Sequence, residues 1–148
     1  MMINASPAEI LRAALVSIAA VDAPENQAGT LWPCFVDQLP PSPDRVVCVY
    51  GTAGYREGRI MKTGESMRKP GFQIRVRDIG YRSVWARIRL IQDKLDDIQN
   101  LEVTIEGESC ILQAVTQTGD ALDMGPEPEA RQRINVTING TLTIGDVT

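Results

Sequence analysis

The side chains that most often carry out chemistry are scarce in this 148-residue chain, and their spacing fits no familiar reaction. The chain has no histidine. Ser-His-Asp and Cys-His nucleophile systems are therefore excluded, as are HExxH metal sites. Cys34, Cys48 and Cys110 are widely spaced and form no CxxC pair, so buried reduced thiols are expected rather than a zinc site. Asp93, Asp96 and Asp97 recur at helical spacing beside Lys94. That pattern reads as a solvated helix face before it reads as an acid/base pair or a Mg²⁺ site. Gly51-Thr52-Ala53-Gly54 follows a strand, as phosphate-binding loops do, but no Gly-Lys-Ser/Thr comes after it. An enzyme built on carboxylates alone stays open as an alternative. No catalytic residue, cofactor or metal ligand is assigned.

Charge placement is more informative. Between Arg56 and Arg89 lie ten bases and three acids, a net +7, while the remainder carries −11 and the whole chain −4. A basic middle in an acidic body could bind nucleic acid, or meet the acidic face of a neighbouring protein. Aromatic residues hardly interleave with the basic run, which weakens stacking on single strands. Candidate contact residues for a subunit or partner interface are Tyr55, Arg56, Arg59, Lys62, Arg68, Lys69, Arg75 and Arg77. For Arg75 and Arg77 ordinary solvated surface is an equal reading.

These residues need a scaffold, and the chain is long enough to bury a core unaided. No run approaches the roughly 20 apolar residues that cross a bilayer. No basic cluster precedes Ile10–Val21, so a soluble protein folded in a cytoplasm is expected. Ser6-Pro7-Ala8-Glu9 is a capping box opening a helix with the apolar stripe Leu11, Leu15 and Ile18, ended by 22–29. Residues 22–44 hold five prolines and read as an extended connection pinned by Trp32 and Phe35. The apolar run Val46–Tyr50 suits a central strand. Gly51–Gly71 reads as a long Gly-rich loop of a length that tends to be functional. Phe72, Ile74 and Val76 then alternate inward, with Gln73, Arg75 and Arg77 outward. A second helix places Val84, Ile88, Ile91, Leu95 and Ile98 on one face. Its charges, Arg82 first and Asp96 and Asp97 last, oppose the helix dipole. Leu101–Glu106 reads as a strand turning at Gly107-Glu108, which pairs Ile105 with Cys110 and Val103 with Leu112. Ile134, Val136, Ile138, Leu142 and Ile144 share one parity, so one long strand bent at Gly140 is expected. At about 3.3 Å per residue, the run from Ile134 to the last residue reaches about 50 Å. A domain of this size is about 40 Å across, so the strand bends or overshoots as an edge ready to pair.

Two stretches carry a resemblance. Pro43-Asp44-Arg45-Val46-Val47-Cys48-Val49-Tyr50-Gly51-Thr52-Ala53-Gly54 is similar to a segment of the tail terminator (minor capsid or tail completion) proteins of long-tailed bacteriophages. Pro70-Gly71-Phe72-Gln73-Ile74-Arg75-Val76-Arg77, with Tyr81 four residues on, resembles the strand that leads into that family's second helix. The order of elements agrees along nearly the whole chain. The resemblance implies one α+β domain over residues 1–148: a mostly antiparallel β-sheet with two helices packed on one face, and a long Gly-rich loop between two central strands. It implies a ring, usually hexameric, at the head-proximal end of the virion tail. Such a ring seats on the tail tube protein, stops tube polymerisation and meets the head–tail connector protein, while DNA only passes through its lumen. No catalytic residue, cofactor or membrane contact is implied. A head–tail connector or other neck ring, and a nucleic-acid-binding module using residues 56–89, are the competing readings.

Overall fold

The computed structural model describes residues 4–26, 29–59, 66–128 and 132–146, with side chains described for all of these but 55–59, 66–68 and 146. The first helix, α1 (Pro7–Ser17), begins as its capping box dictates. Ser6 Oγ accepts from the Glu9 N–H at 3.2 Å, and Glu9 Oε2 accepts from the Ser6 N–H at 3.2 Å. The helix stops at Ser17, earlier than expected. Ala19 takes a left-handed φ of 59°, and the N–H groups of Ala19 and Ala20 turn back to the carbonyls of Val16 and Leu15. That is a Schellman end with alanine where glycine usually stands. The second helix, α2 (Tyr81–Asp96), buries Val84, Ile88, Ile91 and Leu95, the stripe read from the sequence.

Seven strands form one sheet. They are β1 (Cys34–Val36), β2 (Val46–Arg59), β3 (Ser66–Asp78), β4 (Gln99–Ile105), β5 (Glu108–Gln117), β6 (Leu122–Pro126) and β7 (Ile134–Asp146). The order is β1-β2-β3-β7-β5-β4, with β6 also on β7, and all pairs are antiparallel except β1 with β2. The class is α+β, as expected. One contiguous core takes the buried stripes of both helices together with Val47, Val49, Phe72, Ile74, Val76, Val136, Ile138 and Leu142.

Three expectations need correction. The segment 51–71 is not a loop: 51–59 and 66–71 are the arms of a β2–β3 hairpin, and 60–65 lie outside the described residues. Two of its glycines, Gly54 and Gly71, serve close approach rather than looseness. A Cβ on Gly54 would strike the Lys69 carbonyl, and one on Gly71 would strike Thr52 Oγ1. Second, the β4–β5 turn is Glu106-Gly107, with φ of 51° and 84°, a type I′ turn. Ile105 therefore faces Glu108, Val103 faces Cys110 and Leu101 faces Leu112. The slip is two residues, so every side chain keeps its face. Third, β7 is one long strand of the expected parity, but it is no edge. β3 pairs along one side of it, while β5 and β6 share the other. Its length is accommodated because two short strands together match one long one.

At Gly140 β7 has no room for a side chain. Phe72 lies directly opposite, fully buried, and an added Cβ would come within 2.7 Å of Phe72 Cζ and collide with the Thr116 carbonyl. The glycine read as a bend is a socket for an aromatic ring.

The alternate side chains of β3 cross to the other face of the sheet, and that face is covered too. Val46 and Cys48 on this face are at 0% exposure, and the proline-rich segment 37–44 is bonded to the same face through Arg77. Two guanidinium groups tie this cover down. Arg77 Nη2 donates to the Pro43 carbonyl at 2.7 Å and Nε to the Asp44 carbonyl at 3.2 Å. Arg133 Nε donates to Asp44 Oδ1 at 2.8 Å and Nη2 to the Pro41 carbonyl at 2.5 Å. Glu127 sits 3.8 Å from Arg77 and 3.9 Å from Arg133. Arg77 is consequently 2% exposed, where an outward, solvated side chain was expected. Burial lowers its pKa from the ordinary value, the adjacent Arg133 acts in the same direction, and Glu127 and Asp44 oppose both.

Two stability outcomes follow from this packing. Gly140→Val should cost at least about 2 kcal/mol by overpacking against Phe72, read as a lower urea midpoint at unchanged slope. Arg77→Met should cost about 3 kcal/mol, because two carbonyls and Glu127 lose a buried charged donor. A loss within about 0.5 kcal/mol would show that something else holds residues 37–44 in place.

Candidate assembly surfaces

Of the eight candidate contact residues, the structure gathers five on one arm. Beyond Thr52 the β2–β3 hairpin is broken by two register shifts, at Thr52/Tyr55 and at Arg56/Arg59, each adding one residue to β2. Bulges increase the local twist. Tyr55 then falls opposite Lys69, Arg56 opposite Arg68, and Arg59 opposite Ser66. β1 covers β2 only at Val47–Val49, so the outer side of β2 from Thr52 onward meets no other strand among the described residues. Lys62 lies outside the described residues.

The other two candidates lie elsewhere. Arg75 is half-buried, its guanidinium 5.7 Å from the Tyr50 ring centroid and its Nε enclosed without a partner. Burial pushes the Tyr50 phenol up to about 12, with the neighbouring Cys48 thiol second. Arg77 belongs to the interior network already described.

A second surface was not legible beforehand. Trp32, 4% exposed, forms the floor of a groove between the 29–33 segment and the start of α2. Arg87 and Arg45 place their guanidinium carbons 5.0 and 5.8 Å from its ring centroid. Arg87 Nη2 donates to the Thr30 carbonyl at 3.2 Å while its Nε is enclosed without a partner. Burial lowers the Arg87 pKa from its ordinary value, and the charge of Arg45 lowers it further. Arg45 Nε lies 3.4 Å from Asp78 Oδ2, which also accepts from Ser83 Oγ at 2.5 Å. Asp78 Oδ1 accepts the Ile79 N–H at 2.7 Å. The carboxylate thus holds the Ser83 side chain in the first turn of α2, whose N-cap, Gly80, makes no side-chain bond. The groove opens as two adjoining clefts of about 580 and 460 Å³.

Neither surface is shaped for covalent chemistry. Cys34, Cys48 and Cys110 are buried and outside any disulfide, and desolvation pushes the Cys34 and Cys48 thiols up, away from the reactive thiolate. Among the described residues no three His, Cys, Asp or Glu side chains converge to hold a metal ion, and no helix is long and apolar enough to cross a membrane.

Comparison with known proteins agrees with a surface-bearing scaffold. No curated protein matches the sequence. A solved chain described as "Virion of native gene transfer agent (GTA) particle" is 14% identical, with a TM-score of 0.55, covering 95% of this chain and 99% of that one. A second solved chain, 16% identical, has a TM-score of 0.50 and covers 95% and 96% of the two chains. At such identities the likeness is one of fold. The family model described as "Bacteriophage tail terminator protein" matches residues 14–127, a span that runs from inside α1 through the sheet to the end of β6. The chain belongs to the bacteriophage tail terminator family.

Proposed function

We propose that this phage tail structural protein forms a ring, by family resemblance a hexamer, that seats on the last ring of the tail tube. There it stops polymerisation and offers its other side to the head–tail connector, with DNA passing through the lumen. The ring acts from the head-proximal end of the virion tail. One observation carries the reading: the β2–β3 arm holds Arg56 opposite Arg68 in an extension of the sheet that nothing in the core requires. An arm this rich in arginine and lysine suits an acidic neighbour. With −11 outside residues 56–89, the rest of the same chain is a source of that acid. Tyr55, Arg56, Arg59, Lys62, Arg68 and Lys69 are the proposed contacts with a subunit or the tube, with Arg75 beside them. Arg77 serves the fold instead.

A neck ring elsewhere in the connector is the nearest competing role and would use the same surfaces. A nucleic-acid-binding role draws less support, because much of the +7 is committed internally. Arg77 is buried, Arg75 and Arg87 lie over aromatic rings, and Arg89 pairs with Asp120 at 2.6 Å.

Negative-stain microscopy of the purified protein with tail tubes is the direct test. Wild type should appear as rings on tube ends and halt growth. Replacing residues 56–68 by a tight turn should keep the circular dichroism spectrum and the unfolding midpoint, yet leave tubes uncapped. Tubes that ignore the wild-type protein would end the proposal. DNA binding tighter than about micromolar at physiological salt, weakening steeply as salt rises, would favour the nucleic-acid role instead.

A further inference from the structure

Residues on either flank of α2 form two half-interfaces that fit each other but not themselves. Arg87 reaches toward Thr30 and Trp32 on one flank, while Arg89 reaches Asp120 on the other. Two residues along an α-helix turn about 200°, so these flanks face nearly opposite ways. On the first flank lies the Trp32 groove. Its rim carries Ile79, 49% exposed, and Leu90, 40% exposed. Between them stand Arg45, 65% exposed and held only at 3.4 Å by Asp78, and Arg87 with its enclosed, unpartnered Nε. The rim is therefore apolar with one well-exposed cation, Arg45, beside Arg87, although Asp44 and Asp78 also line the cleft.

On the second flank lies β6. It pairs with β7 along one side only, and its other side meets no strand among the described residues. Leu122 is 57% exposed and Met124 49% exposed, with the exposed Asp123 between them. This open strand edge is apolar and carries one exposed carboxylate, whose Oδ1 accepts the Gly125 N–H at 2.7 Å, so in apolarity and in sign it complements the groove. Exposed apolar side chains beside an unpaired edge are a mark of a binding surface.

From this complementarity we propose that β6 of one copy seats in the Trp32 groove of the next, with Asp123 meeting Arg45 and Arg87 while Leu122 and Met124 cover Ile79 and Leu90. The proposal rests on the ring reading above and names the contact that would build it. Because the two halves lie on opposite flanks of one helix, a copy cannot satisfy its own groove. The contact is heterologous, and repeating it head to tail closes a ring or extends a filament.

A heterologous contact has a decisive mixing test. Arg45→Glu/Leu90→Asp spoils the groove and keeps β6; Leu122→Ser/Asp123→Lys spoils β6 and keeps the groove. All four positions are exposed, and circular dichroism checks that both variants fold; Leu90→Asp alone replaces the first if it does not. In sedimentation velocity up to millimolar protein, wild type should assemble beyond a dimer. Each variant alone should stay monomeric, its self-association weakened at least about tenfold. Their equimolar mixture has one good contact per pair and should give dimers and nothing larger. Variants that assemble like wild type would overturn the placement and leave the ring reading standing. Variants that assemble normally but no longer bind tubes would assign the groove to the tube protein instead. A mixture that stays monomeric would show that these surfaces do not meet each other. Wild type that never associates would overturn both the contact and the ring.

Discussion

The sheet takes part in two separate burials, and only one of them is cheap. In the first, apolar side chains of α1 and α2 meet those of the strands in one core, by the ordinary hydrophobic effect. The second is roofed by a proline-rich strap with few apolar side chains to offer, so its hold comes from carbonyl oxygens presented to Arg77 and Arg133. Proline suits this role, because it cannot donate from its backbone and its carbonyl is free to accept. A guanidinium, with five donors in a fixed fork, satisfies several such carbonyls at once in a way that lysine would not. Without that network Val46 and Cys48 would lie open, and β2 could not carry the hairpin arm from a fixed base.

Elements that depend on neighbouring residues were readable. The capping box of α1, the stripe of α2 and the parity of β7 are local patterns, and each took the form its spacing dictates. What escaped the sequence depends on distant partners. Arg77 alternates as an outward residue should, and nothing near it in sequence says that residues 41–44 will cover it. Ala19 ends α1 in a conformation that normally signals itself by glycine. The glycines of 51–71 imitate a loop, although Gly54 and Gly71 are small because two backbones press together there. β7 was legible as long but not as central, since centrality is a statement about β3, β5 and β6.

The candidate surfaces divide the same way. Basic residues at 56, 59, 68 and 69 were visible as a charge run, and the structure adds that 56 and 68 oppose each other. The groove of Trp32, Arg45 and Arg87 joins three parts of the chain far apart in sequence, and no spacing rule links them. The oddity in α2, whose start at Arg82 and end at Asp96 and Asp97 oppose its dipole, has a side-chain account at its acidic end and none at Arg82. Arg87 and Arg89 are spent on Trp32 and Trp85, and Asp96 accepts from Gln117 Nε2 at 2.9 Å. Side-chain partners outweigh a dipole that is worth only tenths of a kcal/mol at the surface.

The position of β7 has a consequence for how the protein comes into being. Strands β1 to β3 and strands β4 to β5 share no backbone hydrogen bonds, and only residues 134–146 join them. During synthesis, at about 5–20 residues per second, both half-sheets emerge with raw edges turned toward each other and no strand between. For several seconds the nascent chain offers two sticky seams of the kind that draw strands from other molecules. Because this keystone follows both half-sheets in chain order, those seams close only once residues 134–146 have emerged.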